Sequence, residues 1–454
     1  MMRYSLSLLS ALFCLSSLLA AGRDAQNPPP DSRFQADLLV VVAHPDDESE
    51  ISGYLARAIL DEHKRVAVVY GTRGNQGGNV VGQEQAATLG AIREIEAHRA
   101  WQRFGVSNIW FLNGTDTPGQ NVLGSLESWN HGDSLGKLVR LVRLIRPAVI
   151  ATWLPAYSAG ENHGDHQAAG VLATEAFDLA GDPTSFPEQV TPPRNRYDIG
   201  NFTEGLRPWQ AQKLYYFSDA TNTEFLDGKG PRYATADISP SQHISYARIA
   251  AESCAEHLTQ GDSGMMAKKG LQSGDLGYLS NPVKFVLGKS YVAGTVTGDV
   301  FEGIRQGAIP FHKAPGFTPE AKTTVTIEFG GSWHFYRQFY QAHGLERLAG
   351  LVSPEVAVNF DTFLTVPVVV ENPTEQAVPV SILVDLPEGL HYIRRPPEQG
   401  NVPAHGSLSF DFEMRTPAER KAAVRLLKIR AETNHRTLGS IQLHVHLDGG
   451  ALPQ

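Results

Sequence analysis

Short apolar runs alternate with helical stretches through the first 180 residues, and this alternation constrains the fold more than any other feature of the chain. Each run has the length and the β-branched content of a buried strand. The runs are Asp37–Ala43, Arg65–Tyr70, Asn108–Leu112 and Ala148–Trp153, and the helical stretches are Ile51–His63, Gln83–Phe104, Ser134–Arg146 and His166–Ala180. This order predicts an α/β domain with a Rossmann-like, mostly parallel sheet, in which ligands bind at the carboxyl ends of the strands.

The residue pattern of the chain changes from about Ser353. Runs such as FLTVPVVVEN, VPVSILVDL and IQLHVHL alternate or are β-branched, and turn residues separate them. Several short strands at this spacing predict a small all-β sandwich domain. We therefore expect a leader at 1–22, a Pro-rich linker at 23–34, an α/β domain with insertions at 35–352 and an accessory β-sandwich at 353–454.

The first residues have the pattern of a secretory signal peptide. Arg3 precedes an apolar run from Leu6 to Ala21, and the run ends in small residues up to Gly22. Cleavage there predicts an exported protein, periplasmic or extracellular, with no stable membrane span afterwards. The alternative is an uncleaved membrane anchor, because the run approaches the length that spans a bilayer.

Charge and cysteine content argue against a nucleic-acid partner, a disulfide scaffold and a Cys-rich metal site. Lys and Arg number 39 against 48 Asp and Glu, for a net charge of −9, and no dense basic block appears. A nucleic-acid partner is therefore not expected. Of the two cysteines, Cys14 lies in the leader and Cys254 lies in an apolar helical pattern, where it is expected to be a small buried hydrophobe. A disulfide scaffold and a Cys-rich metal site are both excluded.

Two polar motifs follow the first and fourth predicted strands. The first reads Ala43-His44-Pro45-Asp46-Asp47-Glu48, and the second reads Asn162-His163-Gly164-Asp165-His166. If both strands are central, both loops open onto one crevice. His44, Asp47 and His166 can then form a set of two imidazoles and one carboxylate, which suits catalytic zinc and also non-haem iron. The alternative is that both motifs are polar loops whose Asp residues cap helices.

The paired motifs AHPDDE and HGDH resemble the PIG-L/LmbE-like zinc-dependent de-N-acetylase family. Three further features support the resemblance: the loop Gly71–Gly74, the Arg- and Glu-containing helix segment Ile92–Glu96, and Asp116 after the third strand. The segment His257–Gly261 looks like a motif of longer, exported bacterial-type members. The resemblance covers about residues 35–290 and leaves the C-terminal β region outside.

The resemblance implies roles for the motif residues. Zinc would be held by His44, Asp47 and His166, although another divalent metal such as Fe²⁺ is possible. Asp46 would be the general base for a zinc-bound water, which is the nucleophile. His163 would assist at the oxyanion, and a protonated imidazole there can stabilise developing negative charge.

The remaining polar residues carry weaker expectations. Asp165 is expected to orient His163 and to raise its pKa, as a nearby carboxylate does. Arg93 is expected to bind substrate, with a helix-surface ion pair to a neighbouring Glu as the alternative. Asp116 is also expected to bind substrate, although a loop Asp often only forms a turn. Glu48 either supports the ligands or is merely an acid in the first turn of a helix.

Together these features predict a zinc-dependent N-deacetylase that hydrolyses the N-acetyl amide of an amino sugar or its conjugate, of N-acetylglucosamine type. Its partner would be an N-acetylated amino-sugar substrate or glycoconjugate. One alternative is a zinc amidase that acts on a non-sugar amide. Another is a non-catalytic glycan- or surface-binding protein with a vestigial metal site, although Asp46 would be superfluous there. The loop at 74–78 lacks an acidic residue, and an insertion occupies 181–211. The sequence therefore does not identify the glycan substrate.

Overall fold

The computed structural model describes residues 31–156, 163–195, 197, 200–220, 223–319, 321–351, 354–394 and 399–447. The predicted leader at 1–22 and most of the predicted linker lie outside the described residues. Within the described part of the chain, no helix combines the length and the apolar character needed to cross a membrane.

The first unit is an α/β domain built on a six-stranded sheet, as the sequence predicts. Its strands are β1 (Leu38–Val42), β2 (Val66–Tyr70), β3 (Ile109–Phe111), β4 (Val149–Trp153), β5 (Lys213–Phe217) and β8 (Val286–Ser290). The strand order is β3-β2-β1-β4-β5-β8. The first five strands are parallel, and β8 closes one edge antiparallel to β5. β1 and β4 are therefore adjacent at the centre of the sheet.

Helices cover both faces of this sheet. β1, β2, β4 and β5 are buried along their whole length, as expected for parallel strands covered on both sides. The principal helices are α1 (Ser52–Ala56), α2 (Ala86–Gln102), α3 (Val122–Ser128), α4 (His131–Ile145), α5 (Gly164–Leu179), α6 (Pro187–Val190), α7 (Tyr246–Cys254), α8 (Met266–Ser273) and α9 (Gly331–His343). A 3₁₀ turn (Asp47–Ile51) precedes α1, and a π-helical turn (Arg57–Asp61) follows it. Cys254 is buried at the end of α7, as predicted.

Residues 218–220 and 223–285 form loops, short helices and a β-ribbon beside the carboxyl ends of the strands. A two-stranded ribbon joins β6 (Arg232–Tyr233) to β7 (Val283–Lys284). After α7 the chain turns sharply and forms a π-helical turn (Gly261–Met265) that leads into α8. The helical pattern of the sequence at 244–258 predicts α7, whereas the Gly-rich sequence from residue 259 predicts no regular element.

The second unit is all-β, as predicted, and consists of two sheets that share one hydrophobic core. Its strands are β9 (Thr326–Phe329), β10 (Glu355–Val358), β11 (Phe363–Asn372), β12 (Val378–Asp385), β13 (His391–Arg394), β14 (Gln399–Val402), β15 (Gly406–Arg415), β16 (Ala423–Thr433) and β17 (Arg436–Leu447). The sheets run β10-β17-β16-β12-β14 and β13-β15-β11-β9. All pairs are antiparallel except β10 with β17.

The chain passes between the two units more than once. β9 lies before residue 353, yet it pairs with β11 of the C-terminal unit. The next helix, α9, returns to the α/β unit. There the Tyr336 hydroxyl donates to Gln167 Oε1 at 2.8 Å and the Tyr340 hydroxyl donates to the Pro155 carbonyl at 2.7 Å. Alternation of apolar and polar residues in β9 indicates that one face of the strand is buried, but it does not indicate which sheet the strand joins.

Candidate active site

The two polar motifs meet at the carboxyl ends of β1 and β4. Val41 of β1 is in register with Thr152 of β4, so the chain leaves the sheet at the same level from both strands. His44 follows β1 directly, and His163 and His166 lie at the start of α5. One ring nitrogen from each of the three histidines lies within 4.8 Å of the others.

Asp47 presents one carboxylate oxygen to two imidazoles. Its Oδ2 accepts from the backbone amides of Ala43 at 2.8 Å and His44 at 3.0 Å, and from Trp153 Nε1 at 2.7 Å. Its Oδ1 lies 3.5 Å from His44 Nδ1 and 3.3 Å from His166 Nε2. Two ligands of a tetrahedral zinc ion with bonds of ~2.1 Å stand about 3.4 Å apart, so both separations suit metal ligands.

Two groups besides Asp47 hold the ring of His166. The indole of Trp153 stacks on it, with ring centroids 4.2 Å apart and planes 10° from parallel. On the side away from Asp47, His166 Nδ1 lies 2.9 Å from Asp219 Oδ2. A carboxylate on the distal nitrogen of a ligating histidine fixes its orientation and tautomer. Sequence reasoning missed Asp219, although it follows β5 in the same way that the recognised motifs follow β1 and β4.

The charges of this cluster are those of a cation site. Burial alone would lower the pKa of His166, but the carboxylates of Asp47 and Asp219 outweigh it and raise the pKa to about 10. The pKa of His44 is likewise raised against its burial, mainly by Asp47. The pKa of Asp47 is lowered well below its usual range, against its burial, by the two imidazoles. Two imidazole nitrogens and a buried, ionised carboxylate oxygen fit a divalent cation such as zinc.

Asp46 stands beside the cluster in an unusual backbone conformation. Its φ of 110° is positive, which is uncommon for a residue other than glycine. Its carboxylate accepts a hydrogen bond from the Ser263 hydroxyl and lines the cavity. Burial and the neighbouring Asp47 raise the pKa of Asp46 to about 6. Asp46 therefore has the position and proton affinity of a carboxylate that can accept a proton near neutral pH.

Asp165 lies closer to His44 than to His163. Its Oδ2 is 3.3 Å from His44 Nε2 and 4.0 Å from His163 Nδ1, and its two oxygens accept from the amide and hydroxyl of Thr117. The expected rise in the pKa of His163 is not found. Asp165 does act in that direction, but burial and the charges of His44 and His166 outweigh it and lower the pKa to about 3. His163 is thus neutral at physiological pH and can still donate one N–H.

Arg93 builds the cavity wall. The side chain is buried, and it donates to the carbonyls of Gly74 at 2.5 Å and Gly78 at 2.8 Å and to Thr259 Oγ1 at 3.3 Å. The alternative of a surface ion pair with a neighbouring Glu is not what the structure has, because Glu94 pairs with Arg73 instead. Arg93 therefore shapes the glycine-rich loop, and its guanidinium also borders the cavity.

Asp116 reaches the site from the loop after β3. Its Oδ2 accepts from the Gln76 amide at 2.8 Å, and its Oδ1 lies 3.9 Å from His44 Nε2. With His44 and Asp165 it forms a second group whose donor atoms lie within 4.8 Å of one another. Asp116 thus joins the loops around the cavity and borders it.

Glu48 is a buried support for the first motif. Its carboxylate accepts from the Tyr70 hydroxyl at 2.7 Å, and His257 Nε2 lies 2.8 Å from its other oxygen. Trp101 Nε1 donates to the same Tyr70 hydroxyl at 2.7 Å. Glu48 is 2% exposed, so it is not a solvated acid on the first turn of a helix. Its partner His257 comes from the segment that the sequence singled out.

The motif residues open into a cavity of about 840 Å³. Besides the cluster, its walls include Glu50, Asp262, Tyr278 and Lys284. Burial and the charge of Asp219 raise the pKa of Glu50 to about 8, so its carboxyl is protonated at neutral pH and can donate a hydrogen bond. A cavity of this size accommodates a ligand of at least monosaccharide dimensions.

One family model and several known proteins match parts of the chain. Residues 39–177 match the family described as PIG-L: GlcNAc-PI de-N-acetylase. The chain is 31% identical over 202 residues to a 1D-myo-inositol 2-acetamido-2-deoxy-alpha-D-glucopyranoside deacetylase of Streptomyces scabiei (strain 87.22), covering 41% of this chain and 57% of that protein. It is 33% identical over 205 residues to the deacetylase of the same name from Streptomyces avermitilis, covering 41% of this chain and 61% of that protein. The chain thus spans little more than half the length of these relatives.

A solved structure is also similar. It is the N,N'-diacetylchitobiose deacetylase from Pyrococcus horikoshii, with a TM-score of 0.39 and 18% identity, over 58% of this chain and 86% of that chain.

Proposed function

Since the chain belongs to the PIG-L/LmbE-like de-N-acetylase family, we propose that it is a zinc-dependent N-deacetylase that hydrolyses the acetamido group of an amino sugar or its conjugate. Another divalent metal such as Fe²⁺ fits the same donors. The relatives named as deacetylases of a 2-acetamido-2-deoxy-glucopyranoside support a substrate of N-acetylglucosamine type.

One observation carries the proposal. A single oxygen of Asp47 lies between the nitrogens of His44 and His166, and the Asp46 carboxylate borders the same open cavity. A binding protein with a structural metal would gain nothing from a buried base of raised pKa beside the ligands. The arrangement therefore supports the proposal of a hydrolytic site.

The chain's own residues prepare the ligands. The three donors on Asp47 Oδ2 leave Oδ1 as the free oxygen, and Asp219 and Trp153 hold His166 in place. The chemistry that an ion supplies when bound to such donors is polarisation of a carbonyl and a lowered pKa for water, toward ~7.

Proton movements fall to the neighbouring side chains. Asp46 accepts the proton of the attacking water, because its pKa of about 6 lies close to neutral pH. His163 is neutral, so it acts as an N–H donor toward the oxyanion that develops on the carbonyl. Asp165 acts mainly on His44 and the Thr117 loop, and so holds the rim of the site in shape.

We also propose a division of labour along the chain. Residues 35–352 would form the catalytic domain and 353–454 an accessory β-domain, with β9 contributed to the latter's sheet from before that boundary. All the residues that line the cavity precede residue 285, so the β-domain would supply no metal ligand or base. Export of the protein, through the leader at 1–22, is part of the same proposal.

Acetate release from a panel of N-acetylhexosamine compounds, with and without chelator, tests the function. We expect release that a chelator abolishes and added zinc restores. Asp46→Asn should keep its metal and lose about 10²–10⁴-fold in kcat. Asp133→Asn, a change of a half-exposed side chain that pairs with Lys137, is the matched control.

Other results would contradict the proposal. Hydrolysis of simple amides without any sugar substrate would favour the amidase alternative. A metal-loaded protein that releases no acetate from any compound would favour a binding role. Release that is insensitive to chelator would exclude the metal.

A further inference from the structure

The backbone at Asp46 is strained and must be held by its surroundings. A φ of 110° is rarely adopted by a residue with a side chain, and such residues persist only where neighbouring contacts fix them. The conformation sets the direction of the Asp46 carboxylate relative to Asp47, its immediate neighbour. Whatever holds this turn therefore also aims the proposed base.

A distant segment, His257–Ser263, contacts this turn at three points. The first contact runs through Glu48. Its Oε2 accepts the Asp46 amide at 3.2 Å, and His257 Nε2 lies 2.8 Å from its Oε1. His257 and Glu48 are both fully or almost fully buried, so water cannot replace either partner. The amide of the strained residue is thus tied to the segment through one carboxylate.

The other two contacts are direct. The Gln260 side-chain amide donates to the carbonyl of Pro45, which precedes Asp46. The Ser263 hydroxyl donates to Asp46 Oδ2. The contact from Gln260 restrains the peptide before the strained residue, and the contact from Ser263 restrains the Asp46 carboxylate itself. The hydrogen bond from Ser263 to Oδ2 therefore restrains the rotation of the whole carboxylate.

The segment is itself anchored on the far side. The amide and hydroxyl of Thr259 donate to Glu96 of α2 at 3.0 and 2.7 Å, and the Thr259 carbonyl accepts the Val80 amide at 3.1 Å. The turn is also tight at its end, since a Cβ on Gly264 would stand 1.9 Å from the His257 carbonyl oxygen. The segment is therefore held in place between helix α2 and the Asp46 turn.

We propose that His257–Ser263 is a positioning clamp for the proposed base and that Ser263 sets the direction of the Asp46 carboxylate. This inference rests on the proposed function, in which Asp46 accepts a proton. Without the Ser263 hydroxyl, the carboxylate can rotate about its own side chain and lose its alignment with the attacking water. The metal ligands do not contact Ser263, so metal binding should be unaffected by its loss.

The test compares Ser263→Ala and Ser263→Thr with the wild-type chain, and uses Ser273→Ala as the matched control. Ser273 lies at the end of α8 and bonds only locally, to Gly270 and Asp275. Steady-state acetate release gives kcat and KM, and elemental analysis gives the metal content. We expect Ser263→Ala to lower kcat about 10- to 100-fold, the cost of a misplaced catalytic group, with KM and metal content within twofold of wild type. Ser263→Thr keeps the hydroxyl and should restore most of kcat.

A kcat for Ser263→Ala within twofold of wild type would overturn the inference. So would a loss of metal, or a rise in KM that accounts for the whole effect, because either result means a structural role only. Hydrogen exchange separates this inference from the proposed function. The amides of Asp47 and Ser49, which bond back to His44 and Asp46, should exchange faster in Ser263→Ala and in Gln260→Ala than in wild type. If the wild-type chain releases no acetate, the proposed function fails, and unchanged exchange in both variants would overturn the clamp as well.

Discussion

Asp219 offers a sharp test of the metal centre, because no motif identified it and its proposed role depends on a single contact. Its Oδ2 lies 2.9 Å from His166 Nδ1, and its side chain is 17% exposed. If this contact fixes the imidazole so that Nε2 faces Asp47, replacing Asp219 must weaken metal binding. Asp219→Asn keeps the size of the side chain and can still accept a hydrogen bond, but it removes the negative charge.

The expected magnitude follows from this geometry. Loss of a carboxylate partner of a ligating histidine costs about 10- to 100-fold in metal affinity, or about 1.4–2.8 kcal/mol. The lower end is expected for Asn, since Trp153 stacks on the ring of His166 and still restrains it. The free energy lost from metal binding should exceed any change in the free energy of unfolding of the metal-free protein.

Competition with a chromophoric zinc chelator at fixed pH and ionic strength measures this affinity. Asp227→Asn is the control. Its carboxylate is 57% exposed and pairs with Lys284, which also borders the cavity, so it changes the same charge nearby without touching His166. An Asp219→Asn affinity within twofold of wild type would refute the reasoning. An equal loss in Asp227→Asn would show that only the local electrostatic field matters.

Three further predictions follow from the structure. His166→Ala should strip zinc from the purified protein, and full metal occupancy by elemental analysis would remove His166 from the ligand set. The pKa of His166 is about 10 and that of His44 is raised, so both imidazoles are protonated at neutral pH in the metal-free protein and each must lose the proton on its ligating nitrogen when zinc binds. Zinc affinity should therefore rise with pH between about 6 and 8. An affinity that does not change with pH in chelator competition would contradict this. A chain ending at Leu351 should keep its zinc but unfold at a lower temperature than the full chain. In that chain β9 loses its partner β11, and the buried Ile327 and Phe329 become exposed. An unchanged melting temperature would show that the pairing of β9 contributes nothing to stability.

The core of the α/β unit could be predicted from the sequence alone. Runs such as Leu38–Val42 and Val149–Trp153 are apolar throughout, and only a strand covered on both faces needs that pattern. Once these two strands are placed side by side in a parallel sheet, the residues just beyond them must meet. His44, Asp47 and His166 could therefore be brought together on paper, because their positions depend on local periodicity and one topological rule.

Other features were decided by contacts that periodicity does not encode. Asp165 was expected to serve His163, but the path of the Thr117 loop brings it nearer to His44. Arg93 was expected to bind substrate; it does border the cavity, and the sequence did not indicate that its guanidinium also donates to two carbonyls of the glycine-rich loop. In both cases the partner is a loop whose course depends on the whole fold.

The support of the site belongs wholly to the tertiary structure. Ser263 lies 217 positions along the chain from Asp46, and His257 lies 209 positions from Glu48. A serine and a histidine in a glycine-containing stretch carry no periodic signal that names such partners. The sequence by itself determined which strands form the sheet and which residues stand at their ends, because burial on both faces leaves a local pattern. Only the folded chain decided which distant side chains hold those residues in position, because a hydrogen bond between remote segments requires both to be placed first.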